Sequence, residues 1–218
     1  EHCVNHFNGM WAFVIFDTRK NILFGSRDRV GVKPIYYYMD ASVFAFASEQ
    51  KALVKLPFVK SGINFKSVSV FLVGDIQFIE RGEENMFKNI YEILPAHNFR
   101  MDLREKSFQK WNYYSLNANT SFSSFDEKEF AKYRDETENL LVNSVKLHLR
   151  SDVPVGSCLS GGIDSSAIVS IMGKLVSEGH KVNLGGKLNV FTLKFDDPKI
   201  DESNWAKYLV DQTNAEWN

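Results

Sequence analysis

The spacing of hydrophobic and polar residues changes near the middle of the chain. Over residues 10–114 the apolar positions form short runs and alternations of period two, separated by polar turns, which is typical of β-strands. Three pairs of segments flank short turns and predict hairpins: "MWAFVIFD" with "ILFGSRD", "IYYYM" with "VFAFAS", and "HNFRMDL" with "SFQKWNY". A helix is expected over residues 49–54. The first half is therefore predicted to be antiparallel and rich in β-structure.

Beyond residue 125 the period lengthens to about 3.6 residues, which predicts helices. A long helix, capped by Ser124 or Asp126, is expected to carry one apolar face. The residues of that face are Phe130, Tyr133, Thr137, Leu140, Leu141, Ser144, Val145 and His148. A strand over residues 153–159, a helix over 164–177, the loop "EGHKVNLGGK" and the strand "NVFTLKF" follow. This order predicts a βαβ unit with parallel strands and a right-handed crossover.

The two halves are joined by "SLNANTSFSSF", a stretch rich in Ser, Asn and Thr and poor in aliphatic residues, which is typical of a linker. We therefore expect one domain over residues 1–115, a linker over 116–125 and a second domain over 126–218. No internal repeat and no low-complexity tract is present in the sequence.

Composition narrows the classes of function. The chain has 218 residues and 44% hydrophobic content, enough for a sizeable core and for two domains or parts of two. Its 26 basic and 27 acidic residues give a formal net charge of −1, without an overall attraction to nucleic acid or to an anionic membrane. The longest apolar runs are far shorter than the roughly 20 residues that span a bilayer. We expect no nucleic-acid partner and no membrane partner.

The cysteines and the chain ends add two expectations. Cys3 and Cys158 lack a C-x-x-C spacing, which fits a reducing, cytoplasmic setting. The first residue is Glu1, and the sequence runs directly into a strand-like pattern, as if a domain had been entered midway. The other end stops after a helix-like pattern, without the next strand of an α/β unit. We expect a fragment that is cut at both ends.

The segment "SCLSGGIDSS", residues 157–166, is the strongest candidate for chemistry. It lies at the first βα turn of the predicted parallel sheet, where such folds bind ligands at the carboxyl ends of strands. Gly161 and Gly162 allow positive φ angles and close approach of the backbone to an anion. The amino-terminal end of the following helix adds its positive dipole end. The pattern predicts a cradle for phosphate.

Polar side chains complete this cradle. The hydroxyl groups of Ser160, Ser165 and Ser166 are candidates to bind phosphate oxygens, whereas Asp164 would repel a bare polyphosphate. Asp164 therefore implies a magnesium ion between carboxylate and phosphate. The alternative is that Asp164 or Ser165 caps the helix, which accounts for one of these residues and not for the whole combination.

The motif differs from a Walker A loop because no lysine follows the glycines. Ser-Gly-Gly-x-Asp-Ser-Ser resembles the pyrophosphate-binding loop of the N-type ATP pyrophosphatases, and "SDVPVGSCLSGGIDSSAIVSIM" resembles the glutamine-dependent asparagine synthetases. In the first half, "FNGMWAFVIFD", "SRDRVGVKPIYYY" and "FASEQKAL" resemble the later part of that family's glutaminase domain. "YEILPAHNFRMDL" and "KWNYY" resemble the segments leading out of it. "FTLKFDDPKIDESNWAKYL" is similar to the second strand and following helix of the synthetase domain.

This resemblance implies a fold class of mixed α/β and α+β with two partial domains. The first is the carboxyl-terminal part of an Ntn-hydrolase antiparallel sandwich of a type 2 glutamine amidotransferase. The second is the first βαβ part of a parallel-sheet ATP pyrophosphatase domain, similar to adenine nucleotide alpha hydrolases. In the family, glutamine hydrolysis supplies ammonia through a tunnel, and ATP converts aspartate to β-aspartyl-AMP, which ammonia converts to asparagine. Glutamine, aspartate and ATP are the implied substrates and Mg²⁺ is the implied metal. Whether the protein forms a homodimer is left open by the resemblance.

The resemblance also implies site residues. Asp164 takes the catalytic and magnesium-binding role. The nucleotide-binding set is Cys158, Leu159, Ser160, Gly161, Gly162, Asp164, Ser165, Ser166 and Leu193, with the backbone near Cys158 and Leu193 facing the adenine. Independently of the resemblance, Asp196, Asp197, Asp201 and Glu202 follow the second predicted strand, on the ligand-binding edge of the sheet. Asp197-Pro198 predicts a turn and Asp201 is a candidate helix cap, and a carboxylate near Mg²⁺-ATP is the weaker alternative.

The family's glutaminase nucleophile, an amino-terminal cysteine, has no counterpart in this sequence. Cys3 follows Glu1 and is interpreted as a packing residue, in a helix that leads into the "FNGM" strand. The chain alone is therefore expected to be inactive towards glutamine. The charged loop around Arg27, Asp28, Arg29 and Lys33 is assigned a structural role.

Two other functions stay open. A related amidotransferase would use the same adenylating machinery on another carboxylate, such as a surface-sugar, peptide or antibiotic precursor. A non-catalytic paralogue would serve as a binding module, although the combination of Gly161, Gly162 and Asp164 argues against a loop released from function.

Overall fold

The computed structural model describes residues 1–73, 82–118, 121, 124–180, 183 and 187–218. Parts of the predicted linker (119, 120, 122 and 123) and of the predicted loop 178–187 (181, 182 and 184–186) lie outside these residues. The chain divides into two compact units, Glu1–Thr120 and Ser121–Asn218.

The first unit is built mainly from antiparallel strands. Its elements in chain order are a 3-10 helix His2–His6, strands β1 (Ala12–Asp17), β2 (Ile22–Arg27), β3 (Tyr36–Met39) and β4 (Phe44–Ala47), helices α1 (Gln50–Val54) and α2 (Phe65–Val73), and strands β5 (Ile90–Glu92), β6 (His97–Asp102) and β7 (Ser107–Asn112). One sheet has the strand order β1-β2-β6-β7 and the other the order β4-β3-β5. All pairings in both sheets are antiparallel. The three predicted hairpins and the helix near residue 50 are confirmed.

Side chains of both sheets meet in one hydrophobic cluster. Phe99 of β6 is fully buried, with Tyr37 of β3 and Ile35 beside it. Gly25 of β2 lies opposite Phe99 in the register, and a Cβ atom on Gly25 would fall 2.0 Å from Cε1 of the Phe99 ring. The ring occupies the space that any larger residue at position 25 would need.

The loop after β2 is organised by two buried charges. Asp28 accepts hydrogen bonds from the backbone N–H groups of Val30, Val32 and Lys33 at 3.2, 2.9 and 2.9 Å, and from Trp11 at 3.4 Å. Arg27 forms a buried ion pair with Glu92 and donates to three carbonyl oxygens, those of Gly31, Lys33 and Ile93. The structural role predicted for Arg27 and Asp28 is confirmed, because their charges are used inside the fold.

The second unit combines helices with a small parallel sheet. Its elements are α3 (Glu127–His148), β8 (Gly156–Cys158), α4 (Ile163–Ser177), β9 (Asn189–Phe191), α5 (Ser203–Thr213) and β10 (Glu216–Trp217). The sheet has the order β10-β9-β8, and both pairings are parallel. The predicted βαβ unit is confirmed. The expectation that the next strand is missing was wrong, because β10 pairs with β9.

Helix α3 forms as predicted, but its apolar face is mostly uncovered. Asp126 caps it by accepting hydrogen bonds from the N–H groups of Lys128 and Glu129. Val145 is buried in the core of the unit, whereas Phe130 and Leu140 are 54% and 70% exposed. The core lies at the carboxyl-terminal end of α3, where its buried residues join those of α4, α5 and the sheet in one cluster. Its buried residues are Val145, Leu149, Leu159, Val169, Met172, Leu175, Leu188, Val190, Ala206, Leu209 and Val210.

Some expectations for the first unit were incomplete or wrong. Helix α2 and strand β5 were not predicted. Cys3 lies in the 3-10 helix but is exposed, so the interpretation as a packing residue was wrong, and it is Val4 that is buried there. The segment after that helix, which was expected to be a strand, has no regular structure before Ala12. Within the described ranges, every helix is too short or too polar to cross a bilayer.

Candidate functional site

The glycine-containing loop joins the carboxyl end of β8 to the start of α4, as predicted. Leu159 is buried and continues the sheet, since its N–H donates to the carbonyl oxygen of Phe191 at 2.8 Å. Gly161 has φ +93°, in the left-handed region that favours glycine. Gly162 is the N-cap residue of α4, with φ −69° and ψ 163°. Both glycines permit a positive φ, and only Gly161 adopts one.

The packing of α5 against the loop is a second constraint that favours glycine at position 161. A Cβ atom at this position would lie 2.8 Å from the carbonyl oxygen of Glu202 and 3.0 Å from Cβ of Trp205. At Gly162 the nearest atom would be Oγ of Ser160 at 3.4 Å, an ordinary contact. The first turn of α5 therefore forms one wall of the loop. Sequence reasoning did not find this contact.

Two serine hydroxyl groups hold the loop together. The N–H of Ser160 donates to Oγ of Ser165 at 3.2 Å, and the two hydroxyl oxygens are 3.0 Å apart. Oγ of Ser165 donates to the carbonyl oxygen of Gly162, whose N–H donates to Oγ of Ser160. A phosphate that binds either hydroxyl group would compete with these internal bonds.

Asp164 lies in the first turn of α4 and is exposed. Gly162 is the N-cap residue and both Asp164 and Ser165 lie inside α4, so the alternative in which one of them is the cap is wrong. Within the part of the chain that the structure describes, the carboxylate of Asp164 has no hydrogen-bond or ion-pair partner. Its carboxylate is free to take a ligand. Ser166 follows in the same turn and is half-buried.

A cavity of about 570 Å³ opens at the carboxyl ends of β8 and β9. It is lined by Cys158, Leu159, Ser160, Phe191, Thr192, Leu193, Phe195, Ile200, Glu202 and Asn218. Four residues of the predicted nucleotide-binding set line it, namely Cys158, Leu159, Ser160 and Leu193, and so does Glu202, one of the weaker carboxylate candidates. The rest of the nucleotide-binding set lies on the loop and the first turn of α4. Phe191 and Thr192 were missed, although they belong to a predicted strand whose carboxyl end was expected to face a ligand.

Two of the carboxylates after β9 accept hydrogen bonds from different places: Asp197 from its own turn, and Asp201 from the start of α5. Oδ1 of Asp197 accepts a hydrogen bond from the N–H of Lys199 at 2.9 Å, within its own turn. Asp201, just before α5, accepts from both the N–H and the hydroxyl group of Ser203. The hydrogen bond from the Ser203 hydroxyl lowers the pKa of Asp201. No group of three or more His, Cys, Asp or Glu side chains in the described ranges is arranged to hold a metal ion.

Both units match models of known protein families. Residues 1–114 match the model of a glutamine amidotransferase domain, and residues 136–218 match the asparagine synthase model. The chain belongs to the asparagine synthetase family. It is 37% identical to the putative asparagine synthetase [glutamine-hydrolyzing] 2 of Methanocaldococcus jannaschii, over 96% of this chain and 38% of that protein. It is 34% identical to asparagine synthetase [glutamine-hydrolyzing] 3 of Bacillus subtilis, over 100% of this chain and 33% of that protein.

A protein with a different kind of name is also similar to this chain. Amidase chyE of Penicillium rubens is 30% identical over 94% of this chain and 30% of that protein. The chain spans between about a third and two fifths of the length of the two synthetases named above. The observed fold, an antiparallel first unit followed by a small parallel sheet, is compatible with the amidotransferase and synthase parts of the family.

Proposed function

We propose that the full-length protein is a glutamine-dependent asparagine synthetase. The amidotransferase domain, residues 1–115, takes part in releasing ammonia from glutamine, and residues 126–218 belong to the domain that consumes ATP, with residues 116–125 as the linker. ATP converts the side-chain carboxylate of aspartate to β-aspartyl-AMP, and ammonia displaces AMP to form asparagine. The order of the two matched family models along the chain supports this assignment.

We place ATP at the carboxyl ends of β8 and β9. The observation that carries this proposal is the cavity of about 570 Å³, which shares Ser160 with the glycine-containing loop. The adenosine part would lie in the cavity, against the backbone at Cys158 and Leu193. The pyrophosphate part would lie on the loop, where Gly161 takes a positive φ and the start of α4 contributes its positive dipole end.

The loop favours adenylyl transfer over phosphoryl transfer. A Walker-type loop directs a lysine at the β- and γ-phosphates, and this loop has none. Backbone N–H groups and a helix dipole at the pyrophosphate stabilise the charge that develops there when it leaves. The α-phosphorus then stays open to attack by a carboxylate oxygen of the substrate.

Asp164 fits a magnesium ion that is shared with phosphate. Mg²⁺ is commonly bound by one or two carboxylates together with substrate phosphates and waters, so a single free carboxylate at the loop is a sufficient protein contribution. The ion would neutralise charge on the departing pyrophosphate. Asp164 would hold it at the start of α4, and Ser160, Ser165 and Ser166 would orient the phosphate oxygens.

The product mixture tests this proposal. The full-length protein is incubated with ATP, Mg²⁺, aspartate and ammonium, and nucleotides and amino acids are separated by chromatography. AMP, pyrophosphate and asparagine are expected. ADP and orthophosphate would contradict adenylation.

A variant of Asp164 tests whether this residue acts in the ATP site. Asp164→Asn should slow AMP formation by about tenfold or more at fixed Mg²⁺, with glutamine or ammonium alike. The matched control is Asp152→Asn, which changes an exposed carboxylate ahead of β8 and should leave the rate unchanged. Equal rates for both variants would contradict the role of Asp164.

A second acceptor is favoured by one observation, namely that amidase chyE resembles this chain over most of its length. In that case the same ATP site would activate a different carboxylate. AMP formation that does not yield asparagine, and that depends on another carboxylic acid, would support this second function.

A further inference from the structure

One carboxylate joins the two segments that follow β9. Oδ1 of Asp201 accepts hydrogen bonds from the N–H of Ser203 at 3.2 Å and, more weakly, from the N–H of Phe195 at 3.4 Å. Oδ2 accepts from the hydroxyl group of Ser203 at 2.8 Å. Phe195 belongs to the segment that leaves the sheet, and Ser203 is the first residue of α5. The Asp201 carboxylate therefore sets where α5 begins relative to the end of β9.

The start of α5 is packed tightly against the phosphate-binding loop. Ser203 and Ala206 are buried, so the first turn of the helix is anchored in the core. This turn brings the Glu202 carbonyl oxygen and Cβ of Trp205 to within 2.8 and 3.0 Å of the position of a Cβ on Gly161. Because the gap is already closed, a shift of α5 would push on Gly161 or leave its backbone unsupported.

We propose that Asp201 is a positioning residue for the loop: through Ser203 and the first turn of α5 it holds Gly161 in the conformation that receives pyrophosphate. Asp201 acts without touching the nucleotide. The expected effect of Asp201 on pyrophosphate binding rests on the proposed function, whereas its expected effect on the conformation of the loop does not.

Asp197 offers a matched control in the same segment. It is also an aspartate whose carboxylate accepts a backbone N–H bond, that of Lys199. This bond closes a local turn and does not reach α5. Replacing Asp197 by Ala removes the same chemical group without releasing Ser203.

Hydrogen exchange tests the mechanical link without any ligand. In the full-length protein, Asp201→Ala should speed exchange of the Ser160 and Gly162 amides, the hydrogen-bonded amides that flank Gly161, by about tenfold, because the loop opens locally more often. Asp201→Asn, which keeps an acceptor oxygen for Ser203, should restore most of the protection. Asp197→Ala should behave as the unmodified protein. Unchanged exchange in Asp201→Ala would overturn the inference, whatever the protein binds.

Calorimetry tests the consequence for the ligand. Asp201→Ala should weaken the binding of Mg²⁺-pyrophosphate by about tenfold and the binding of adenosine much less. The expected size follows residues that do not touch a bound metal but orient its ligands through hydrogen bonds. A thermal unfolding curve for each variant separates a selective loss of pyrophosphate binding from global unfolding, which would weaken the binding of both ligands equally. Equal losses for pyrophosphate and adenosine would overturn a positioning role. Failure of the unmodified protein to bind either ligand would overturn the proposed function, while the exchange result still decides the link between Asp201 and the loop.

Discussion

Thr192 joins the end of β9 to the end of β8 by a side-chain hydrogen bond. Its hydroxyl group donates to the carbonyl oxygen of Leu159 at 2.9 Å, and accepts from Nε1 of Trp217 at 2.9 Å. Leu159 directly precedes the glycine-containing loop, and Trp217 lies in β10. One hydroxyl group thus links the carboxyl ends of all three parallel strands of this sheet, and Leu159 and Thr192 also line the cavity.

Thr192→Val should destabilise the second unit. Valine keeps the shape of threonine but removes one donor and one acceptor, which leaves the Trp217 indole N–H without this partner. We expect a loss of about 1–2 kcal/mol in the free energy of unfolding. Urea unfolding followed by tryptophan fluorescence measures it. Thr192→Ser keeps the hydroxyl group and is the control, and equal losses for the two variants would show that the bonds do not contribute.

The two glycines of the loop should respond differently to the same change. Gly161→Ala combines an unfavourable positive φ with a contact on the first turn of α5 and should cost about 3 kcal/mol of stability. It should also abolish binding of Mg²⁺-ATP. Gly162→Ala brings its Cβ only into ordinary contact with Oγ of Ser160, at 3.4 Å, and Gly162 has a negative φ, so less than about 1 kcal/mol is expected. Chemical denaturation of both variants checks this order, and similar values would contradict it.

Gly25→Ala should be strongly destabilising to the first unit. The new methyl group would overlap the ring of Phe99, a fully buried side chain in the cluster between the two sheets. Overpacking of this kind costs about 1–3 kcal/mol or more. Gly62→Ala is the control, because among the residues that the structure describes no atom lies within 4 Å of its Cβ position. A difference of less than about 0.5 kcal/mol between the two variants would rule out the steric explanation.

Stability of the first unit should depend on the ionisation of Asp28. Burial by itself would raise the pKa of this carboxyl group, but hydrogen bonds from the N–H groups of Lys33, Val32, Trp11 and Val30 together lower it below 3.8. Because the pKa is lower in the folded state, the charged form stabilises the fold above the ordinary pKa, and this stability is lost as the pH falls through the folded value. The unmodified protein should therefore lose stability below about pH 4.

The control for this prediction is Asp28→Asn, which cannot ionise. Its stability should be lower at neutral pH, since an amide NH₂ group would face backbone donors. The gap between the two proteins should narrow as the pH falls from about 5 to about 2 in urea unfolding experiments. A gap that stays constant over this range would contradict the assignment.

The hairpins could be predicted because their determinants are close together along the chain. The β1–β2 pair places Asp17 opposite Ile22 across a short turn, so alternation and turn residues suffice. Strand β5 has three residues and pairs with β3 across a long separation in sequence. No local pattern indicates such a pairing, which is why it was missed. The same limit applies to β10, whose two residues become a strand through β9.

Periodicity also has a limit in the second unit. In α3 it identified which residues share a face, and the helix formed over the predicted span. It did not show that Phe130 and Leu140 would be exposed while Val145 is buried, since burial depends on what other segments cover. Periodicity predicts which residues share a helix face, but not which part of that face is buried.

The sequence by itself determined that a Ser-Gly-Gly-x-Asp-Ser-Ser loop would lie between a strand and a helix of a parallel unit, because strand, turn and helix are neighbours in the chain. Only the tertiary structure decided that Gly161, and not Gly162, takes the positive φ. Glycine is permitted either sign of φ, so the residue type leaves the choice open. The contact that accompanies the choice comes from Glu202 and Trp205, far along the chain, and Asp201 holds that contact in place only once α5 has packed on the loop.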